Sequence, residues 1–106
     1  MICAALRPPS DEEALRQMQE ARRQGADLCE LRLDLMPGAG LARLLQAPPL
    51  PVLATVRTKA EGGGWDGDDA ARFRLLGEAC RLGAAWVDVE ERGFRDFERG
   101  RAKLVI

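Results

Sequence analysis

The sequence predicts an α/β fold in which a parallel sheet closes as a barrel, and three observations carry this prediction. Strand-like apolar segments alternate with amphipathic helical segments along the 106 residues. The links between them are about two to six residues long, as in parallel α/β domains. Charged residues recur on one face of the strand-like segments at 28–35 and 86–90. Strands covered by helices on both faces read instead as continuous apolar runs, so a barrel interior that holds a polar ligand is favoured over a doubly wound sheet.

The first strand and the first helix follow from simple local patterns. An apolar run at 2–6 is stopped by two prolines and reads as a buried strand. Ser10 and Glu13 have the spacing of a capping box, which predicts a helix from this point to about Arg23. Gly25 is the expected residue after the helix C-terminus. The apolar stripe of this helix is Ala14, Leu15, Met18 and Ala21.

The second strand, predicted at 28–35, is the most informative stretch of the chain. Glu30, Arg32 and Asp34 alternate with apolar residues, so an extended backbone places three charges on one face. Buried charges must be paired or bound to a ligand. Arginine suits the bidentate recognition of a carboxylate or phosphate. The alternative is a mutually neutralising network of charges that binds no ligand.

A short helix at 41–46 and a third strand at 52–57 follow, and the third strand ends in Arg57. A glycine-rich loop comes next, at 61–67. Its three consecutive glycines offer backbone N–H groups to a phosphate, but the loop lacks the GxGxxG pattern and the Walker lysine. A mobile lid or a plain turn is therefore the favoured interpretation.

The last predicted elements extend the same alternation. A fourth strand at 86–90 carries Asp88 and Glu90 on one side, and an apolar segment at 103–106 reads as the start of a fifth strand. Eight strands and about 200 residues or more close a barrel of this kind. The whole chain is therefore expected to supply the N-terminal half of a single barrel domain. Before the fourth strand, a helix at 68–82 is predicted to pack through Ala71, Leu75, Ala79 and Leu82.

Composition limits the chemistry that this chain can perform. The net charge is −1, so global electrostatics predicts no binding to nucleic acid. No apolar run predicts a membrane span or a signal peptide. The three cysteines have no CxxC spacing and are interpreted as reduced core residues of a cytoplasmic protein. Because there is no histidine, acid–base catalysis near neutral pH would need another group with a strongly shifted pKa.

Three segments together resemble the type I 3-dehydroquinate dehydratases in order and spacing: ELRLD at 30–34, TVRTKAEGG at 55–63 and VDVE at 87–90. The resemblance implies a (β/α)8 TIM barrel, usually a homodimer, of the shikimate pathway of aromatic amino-acid biosynthesis. Such enzymes convert the small molecule 3-dehydroquinate to 3-dehydroshikimate. They do so through a Schiff base to a lysine, with no metal or cofactor.

The same resemblance implies roles for individual residues. Glu30 and Arg32 would bind the substrate hydroxyls, and Arg57 would hold its polar groups. Glu61 would orient the catalytic histidine. Ala5 stands where the family often has a serine near the end of the first strand. The remaining charged residues of the motifs would line the barrel floor: Asp34, Asp88 and Glu90.

The resemblance also places the acid–base histidine and the Schiff-base lysine beyond Ile106. Lys59, in the loop after the third strand, and Lys103, at the start of the fifth, are poorly placed to substitute. The chain alone is therefore expected to be inactive. It is either the N-terminal portion of a working dehydratase or a non-catalytic half-barrel that pairs its open edge with another copy and binds small polyols or serves in assembly. A phosphate-binding barrel of another family is a third interpretation.

Overall fold

Five strands form one parallel sheet in the computed structural model of the chain, which describes residues 1–6, 8, 10–88 and, for the backbone, 103–105. Their order in the sheet equals their order in the chain. A doubly wound sheet reverses its strand order at a switch point, so the sequential order confirms the predicted class, an α/β fold with the strand arrangement of a barrel. The strands are β1 (Cys3–Leu6), β2 (Leu28–Arg32), β3 (Val52–Thr55), β4 (Trp86–Asp88) and β5 (Lys103–Val105).

Helices connect the first four strands, at nearly the bounds that the sequence predicts. They are α1 (Asp11–Arg23), α2 (Leu41–Gln46) and α3 (Asp69–Leu82), and they follow β1, β2 and β3 in turn. Two short 3-10 turns, Leu33–Leu35 and Lys59–Glu61, lie in the connections after β2 and β3. The end of the predicted fourth strand, which includes Glu90, and the segment at 91–101 lie outside the described residues.

The ends of α1 are built as its sequence predicts, and α3 begins with a cap of the same kind. The Ser10 hydroxyl accepts the N–H of Glu13 at 3.2 Å, and the Asp68 carboxylate accepts the N–H of Ala71 at 2.7 Å. Each cap satisfies a backbone donor that has no partner inside the helix. Gly25 follows α1 with a φ of 97°, a left-handed conformation that glycine adopts at little steric cost.

The core lies between the helices and one face of the sheet. Met18 of α1, Leu44 of α2 and Leu76 of α3 are all fully buried in it. Each apolar side chain of this size contributes about 1.5–3 kcal/mol when it is removed from water. The strand residues that face this layer are almost completely buried: Cys29, Leu31, Val52, Ala54 and Val87.

Strand ends and one cysteine differ from the sequence prediction. The second strand ends at Arg32 and not at residue 35, so Asp34 lies in a 3-10 turn. The third ends at Thr55, two residues before Arg57. Both strands end where their pairing with the neighbouring strands ends. The alternation of polar and apolar residues does not show where this pairing ends. Cys29 and Cys80 are buried as predicted, but Cys3 is exposed on β1.

The packing face of α3 is rotated from the predicted one. Of the four predicted residues, Ala79 alone is fully buried, while the others are half-buried. Arg72 is 2% exposed, and its guanidinium lies 4.6 Å from the centre of the Phe73 ring. An arginine can occupy space in the core when its guanidinium stacks on an aromatic ring. A prediction made from apolar residues alone does not place a charged residue there. The buried residues of α3 are Arg72, Phe73, Leu76, Ala79 and Cys80.

Candidate active site

A polar face of the sheet lies opposite the helix-covered core. Glu30 and Arg32 are two residues apart in β2 and therefore share this face. In the parallel register Arg32 lies beside Thr55, and Thr55 lies beside Asp88. One row across three strands thus brings a cation, a hydroxyl and a carboxylate together. The row lies at the C-terminal ends of the strands, where barrel enzymes carry their active sites.

Thr55 holds Glu30 from the neighbouring strand. Its hydroxyl donates a hydrogen bond of 2.9 Å to Oε2 of Glu30, and its side chain is buried, with the residue only 2% exposed. A hydrogen bond to an ionised acceptor is stronger than one between neutral groups, so it restricts the direction of the carboxylate. The sequence prediction missed Thr55 as a site residue. Its alternation with Ala54 and Val56 is the signal that would have placed it on the polar face.

Arg32 and Asp34 form a bidentate ion pair at the end of β2. Nε of Arg32 lies 2.9 Å from Oδ1 of Asp34, and Nη2 lies 2.6 Å from Oδ2. The Arg32 side chain is 16% exposed and the Asp34 side chain is fully buried. Asp34 was expected on a strand face but lies beyond the strand, in the turn that follows it, and pairs with Arg32; its barrel-floor position stays a prediction.

The Asp34 carboxylate also accepts the N–H of Gly64 at 2.9 Å. Burial acts to raise the pKa of Asp34. The hydrogen bonds from Arg32, Gly64 and the Arg57 backbone outweigh that effect, so the pKa lies below its ordinary value. The hydrogen bond to Asp34 in turn raises the pKa of Arg32. Both groups are therefore charged at neutral pH.

The glycine-rich loop after β3 is a compact turn. The N–H of Trp65 donates to the carbonyl of Arg57 at 3.0 Å, and the N–H of Lys59 donates to the carbonyl of Trp65 at 3.2 Å. Gly63 donates its N–H to the Thr58 carbonyl at 2.7 Å. A Cβ atom on Gly63 would collide with the Arg57 carbonyl, so this close approach requires glycine. The turn interpretation of the loop is confirmed.

The loop places Arg57 and Glu61 beside the polar row. The hydroxyl of Thr58 donates to Oε1 of Glu61 at 2.9 Å. Burial raises the pKa of Asp88, nearby Arg57 opposes that rise, and Glu30 and Glu61 add to it. The structure thus brings four of the predicted site residues within electrostatic reach of a fifth, Asp88: Glu30, Arg32, Arg57 and Glu61.

This arrangement suits a small polar molecule. Guanidinium groups donate hydrogen bonds, and ionised carboxylates accept them, so the cluster offers both kinds of partner to a molecule with several hydroxyl groups. Within the described ranges no group of three or more His, Cys, Asp or Glu residues is placed to hold a metal ion. None of the described helices has the length and apolar character needed to cross a membrane.

Comparisons with known proteins identify the family. The family model for type I 3-dehydroquinase matches residues 2–102. The chain belongs to the type I 3-dehydroquinase family. A solved structure resembles the fold: the crystal structure of 3-dehydroquinate dehydratase from Geobacillus kaustophilus HTA426, with a TM-score of 0.74 and 29% identity over 97% of this chain and 47% of that chain.

Curated relatives that are named 3-dehydroquinate dehydratases agree with this assignment. The chloroplastic bifunctional 3-dehydroquinate dehydratase/shikimate dehydrogenase of Arabidopsis thaliana is 38% identical, in an alignment that covers 85% of this chain and 16% of that protein. The 3-dehydroquinate dehydratase of Methanococcus maripaludis is 29% identical, in an alignment that covers 100% of this chain and 52% of that protein. The chain therefore spans about half the length of the Methanococcus relative. The family resemblance drawn from the sequence is confirmed, and the roles of individual residues remain predictions.

Proposed function

We propose that this chain forms the first half of a 3-dehydroquinate dehydratase barrel and supplies part of its substrate-binding face. The reaction would be the dehydration of 3-dehydroquinate to 3-dehydroshikimate in the shikimate pathway. The observation that carries this proposal is the match to the type I 3-dehydroquinase family over residues 2–102. The charged cluster at the C-terminal ends of the strands supports it, because active sites of barrel enzymes lie there.

Each charged side chain has a defined task in this proposal. Glu30, held by Thr55, accepts a hydrogen bond from a substrate hydroxyl, and Arg32 donates one to the substrate. Arg57 holds further polar groups of the substrate from the neighbouring loop. Glu61 orients the catalytic histidine. Asp88 and Glu90 line the barrel floor.

The Schiff-base lysine and the acid–base histidine are expected from strands beyond this chain. A lysine that forms a Schiff base must lie in the barrel beside a group that transfers protons. Lys59 lies instead on the exposed turn after β3, where its Nζ is 3.4 Å from Oδ2 of Asp66. This position supports the expectation that Lys59 is not the Schiff-base lysine.

The form that we propose is a cytoplasmic homodimer that acts on a small molecule, without nucleic-acid or membrane partners and without a metal or cofactor. Size-exclusion chromatography with light scattering tests the dimer. A second candidate function is a non-catalytic half-barrel that assembles with another copy through its edge. The exposure of Met1 (91%) and Ile2 (62%) beside the edge strand β1 favours this alternative, because an open strand edge with apolar residues promotes association.

Complementation between two half-barrels tests the proposed function. The chain is co-expressed with the second half of the Geobacillus kaustophilus enzyme, and 3-dehydroshikimate formation is followed by ultraviolet absorbance. We expect no activity from either half alone and activity from the pair. Borohydride added with 3-dehydroquinate should then attach the reduced ligand to the second half and leave the mass of this chain unchanged. Activity of this chain alone would contradict the proposal that its catalytic lysine is elsewhere. An inactive pair, together with self-association of this chain, would favour the assembly function.

A further inference from the structure

Asp34 joins two segments that are far apart in the chain. Its carboxylate accepts Nε and Nη2 of Arg32 at 2.9 and 2.6 Å, and the N–H of Gly64 at 2.9 Å. Its side chain is fully buried. Arg32 ends β2, whereas Gly64 belongs to the turn that follows β3. One buried carboxylate therefore links the end of β2 to the turn that follows β3.

The contact with Gly64 leaves no room for a larger residue. A Cβ atom on Gly64 would lie 2.7 Å from the Asp34 carbonyl oxygen and 2.9 Å from a methyl group of Leu35. The next residue, Trp65, donates its N–H to the Arg57 carbonyl at 3.0 Å and so closes the turn. The segment that carries Arg57 and Glu61 is thus anchored to the end of β2 through Gly64.

The ion pair with Asp34 fixes the orientation of the Arg32 guanidinium plane. A guanidinium group has five N–H donors in a rigid plane, and two of them bind the two oxygens of Asp34. A bidentate pair restricts rotation of this plane more than a single hydrogen bond does. The Arg32 charge acts on both Glu30 and Asp88. Its remaining donors therefore have one preferred orientation.

We propose that Asp34 is a positioning residue, which orients Arg32 and holds the turn from Arg57 to Trp65 against the end of β2. The spacing of Arg32, which ends β2, and Arg57, which lies two residues beyond β3, then depends on this carboxylate. The anchoring stands on the contacts of the chain itself. Its effect on substrate binding rests on the proposed dehydratase function.

Nuclear magnetic resonance of the 106-residue chain tests the anchoring without any activity. In Asp34→Asn the side chain keeps its shape but has one oxygen and no charge. We expect the Arg32 Nε–H signal to shift or broaden and the Gly64 N–H to exchange roughly tenfold faster or more, as loss of a charge-assisted hydrogen bond implies. The matched control is Asp66→Asn, which neutralises an exposed carboxylate of the same turn and should change neither signal. Unchanged Arg32 and Gly64 signals in Asp34→Asn would overturn the proposal.

A measurement on the unmutated chain covers the case in which Asp34→Asn does not fold. A scalar coupling through the hydrogen bond should connect the amide nitrogen of Gly64 with the carboxyl carbon of Asp34. If both resonances are assigned and sharp but no coupling is detected, the anchoring is contradicted.

Kinetics of the complemented barrel separate positioning from a general structural role. For Asp34→Asn we expect KM for 3-dehydroquinate to rise about tenfold with a smaller change in kcat, since one oriented charged donor is lost. If Asp34 acts through Arg32, then Asp34→Asn adds no further rise in an Arg32→Ala background. If Asp34→Asn and Arg32→Ala instead raise KM independently, so that their effects multiply in the double variant, the positioning role is overturned. A fall in kcat alone for Asp34→Asn would overturn it as well. An inactive unmutated pair would refute the proposed function, while the resonance measurements would still decide the anchoring.

Discussion

Replacing Thr55 by valine tests whether the polar face is held together by its own hydrogen bonds. The two side chains have nearly the same shape, so the change removes one hydroxyl without opening a cavity. Thr55 is 2% exposed, and its hydroxyl lies 2.9 Å from Oε2 of Glu30. The substitution therefore isolates one buried hydrogen bond to a charged group.

The expected loss follows from the burial of the two partners. A hydrogen bond to a charged group contributes about 1.5–3 kcal/mol to stability. Glu30 is only half-buried, so water replaces part of the lost interaction, and the extra methyl group of valine offsets a further part. We expect the free energy of unfolding to fall by about 1 kcal/mol. For a chain of this size that corresponds to a decrease in Tm of about 4–6 °C.

Urea and thermal unfolding followed by circular dichroism provide the assay, and Thr58→Val is the matched control. Thr58 also donates its hydroxyl to a glutamate, Glu61, at the same distance of 2.9 Å, but this hydrogen bond is exposed. Because water replaces an exposed hydrogen bond at little cost, we expect a change within about 0.5 kcal/mol for the control. Equal effects of the two substitutions, or a more stable Thr55→Val chain, would refute the inference that the buried bond to Glu30 stabilises the fold.

Three further predictions concern the core, one carboxyl group and the thiols. Leu31 is fully buried, so Leu31→Ala should lower the free energy of unfolding by about 2–5 kcal/mol in a urea titration. A smaller loss would mean that the surrounding side chains move to fill the cavity left by the leucine. Burial raises the pKa of Asp88, so its ionised form disfavours folding above that pKa and its protonated form does not. Asp88→Asn should accordingly stabilise the chain at pH 7, with a gain that shrinks as pH falls towards the ordinary pKa of aspartate; a gain independent of pH would contradict this. Burial raises the pKa of Cys29 to about 12, so iodoacetamide should modify exposed Cys3 in the folded chain and Cys29 only after unfolding, as read by mass spectrometry.

The helices, and the order in which helices and strands follow one another along the chain, were predictable because their signals are local. The Ser10 cap and the Gly25 terminus act within a few residues of α1, and the proline-rich segment before residue 52 separates α2 from β3. Such signals depend on backbone sterics and on hydrogen bonds between near neighbours. They do not depend on what the element later packs against.

The site was predictable in its residue types but not in its connections. The alternation of Glu30 and Arg32 placed both on one face, and the structure has them there. The same alternation placed Asp34 on that face, which is wrong because the strand has already ended. The face of α3 was also misjudged, since Arg72 is buried and contacts the Phe73 ring, which charge patterning alone does not reveal.

By itself, the amino-acid sequence determined the order of helices and strands along the chain, the α/β class and the family. Periodicity, caps and short motifs all depend on residues that are close together in the chain. Only the tertiary structure decided which side chains hold the site together. The hydrogen bond between Gly64 and Asp34 spans 30 residues of chain, and the one between Thr55 and Glu30 spans 25. Both exist because the register of β2 with β3 aligns the two strand ends, and that alignment is a property of the packed sheet as a whole.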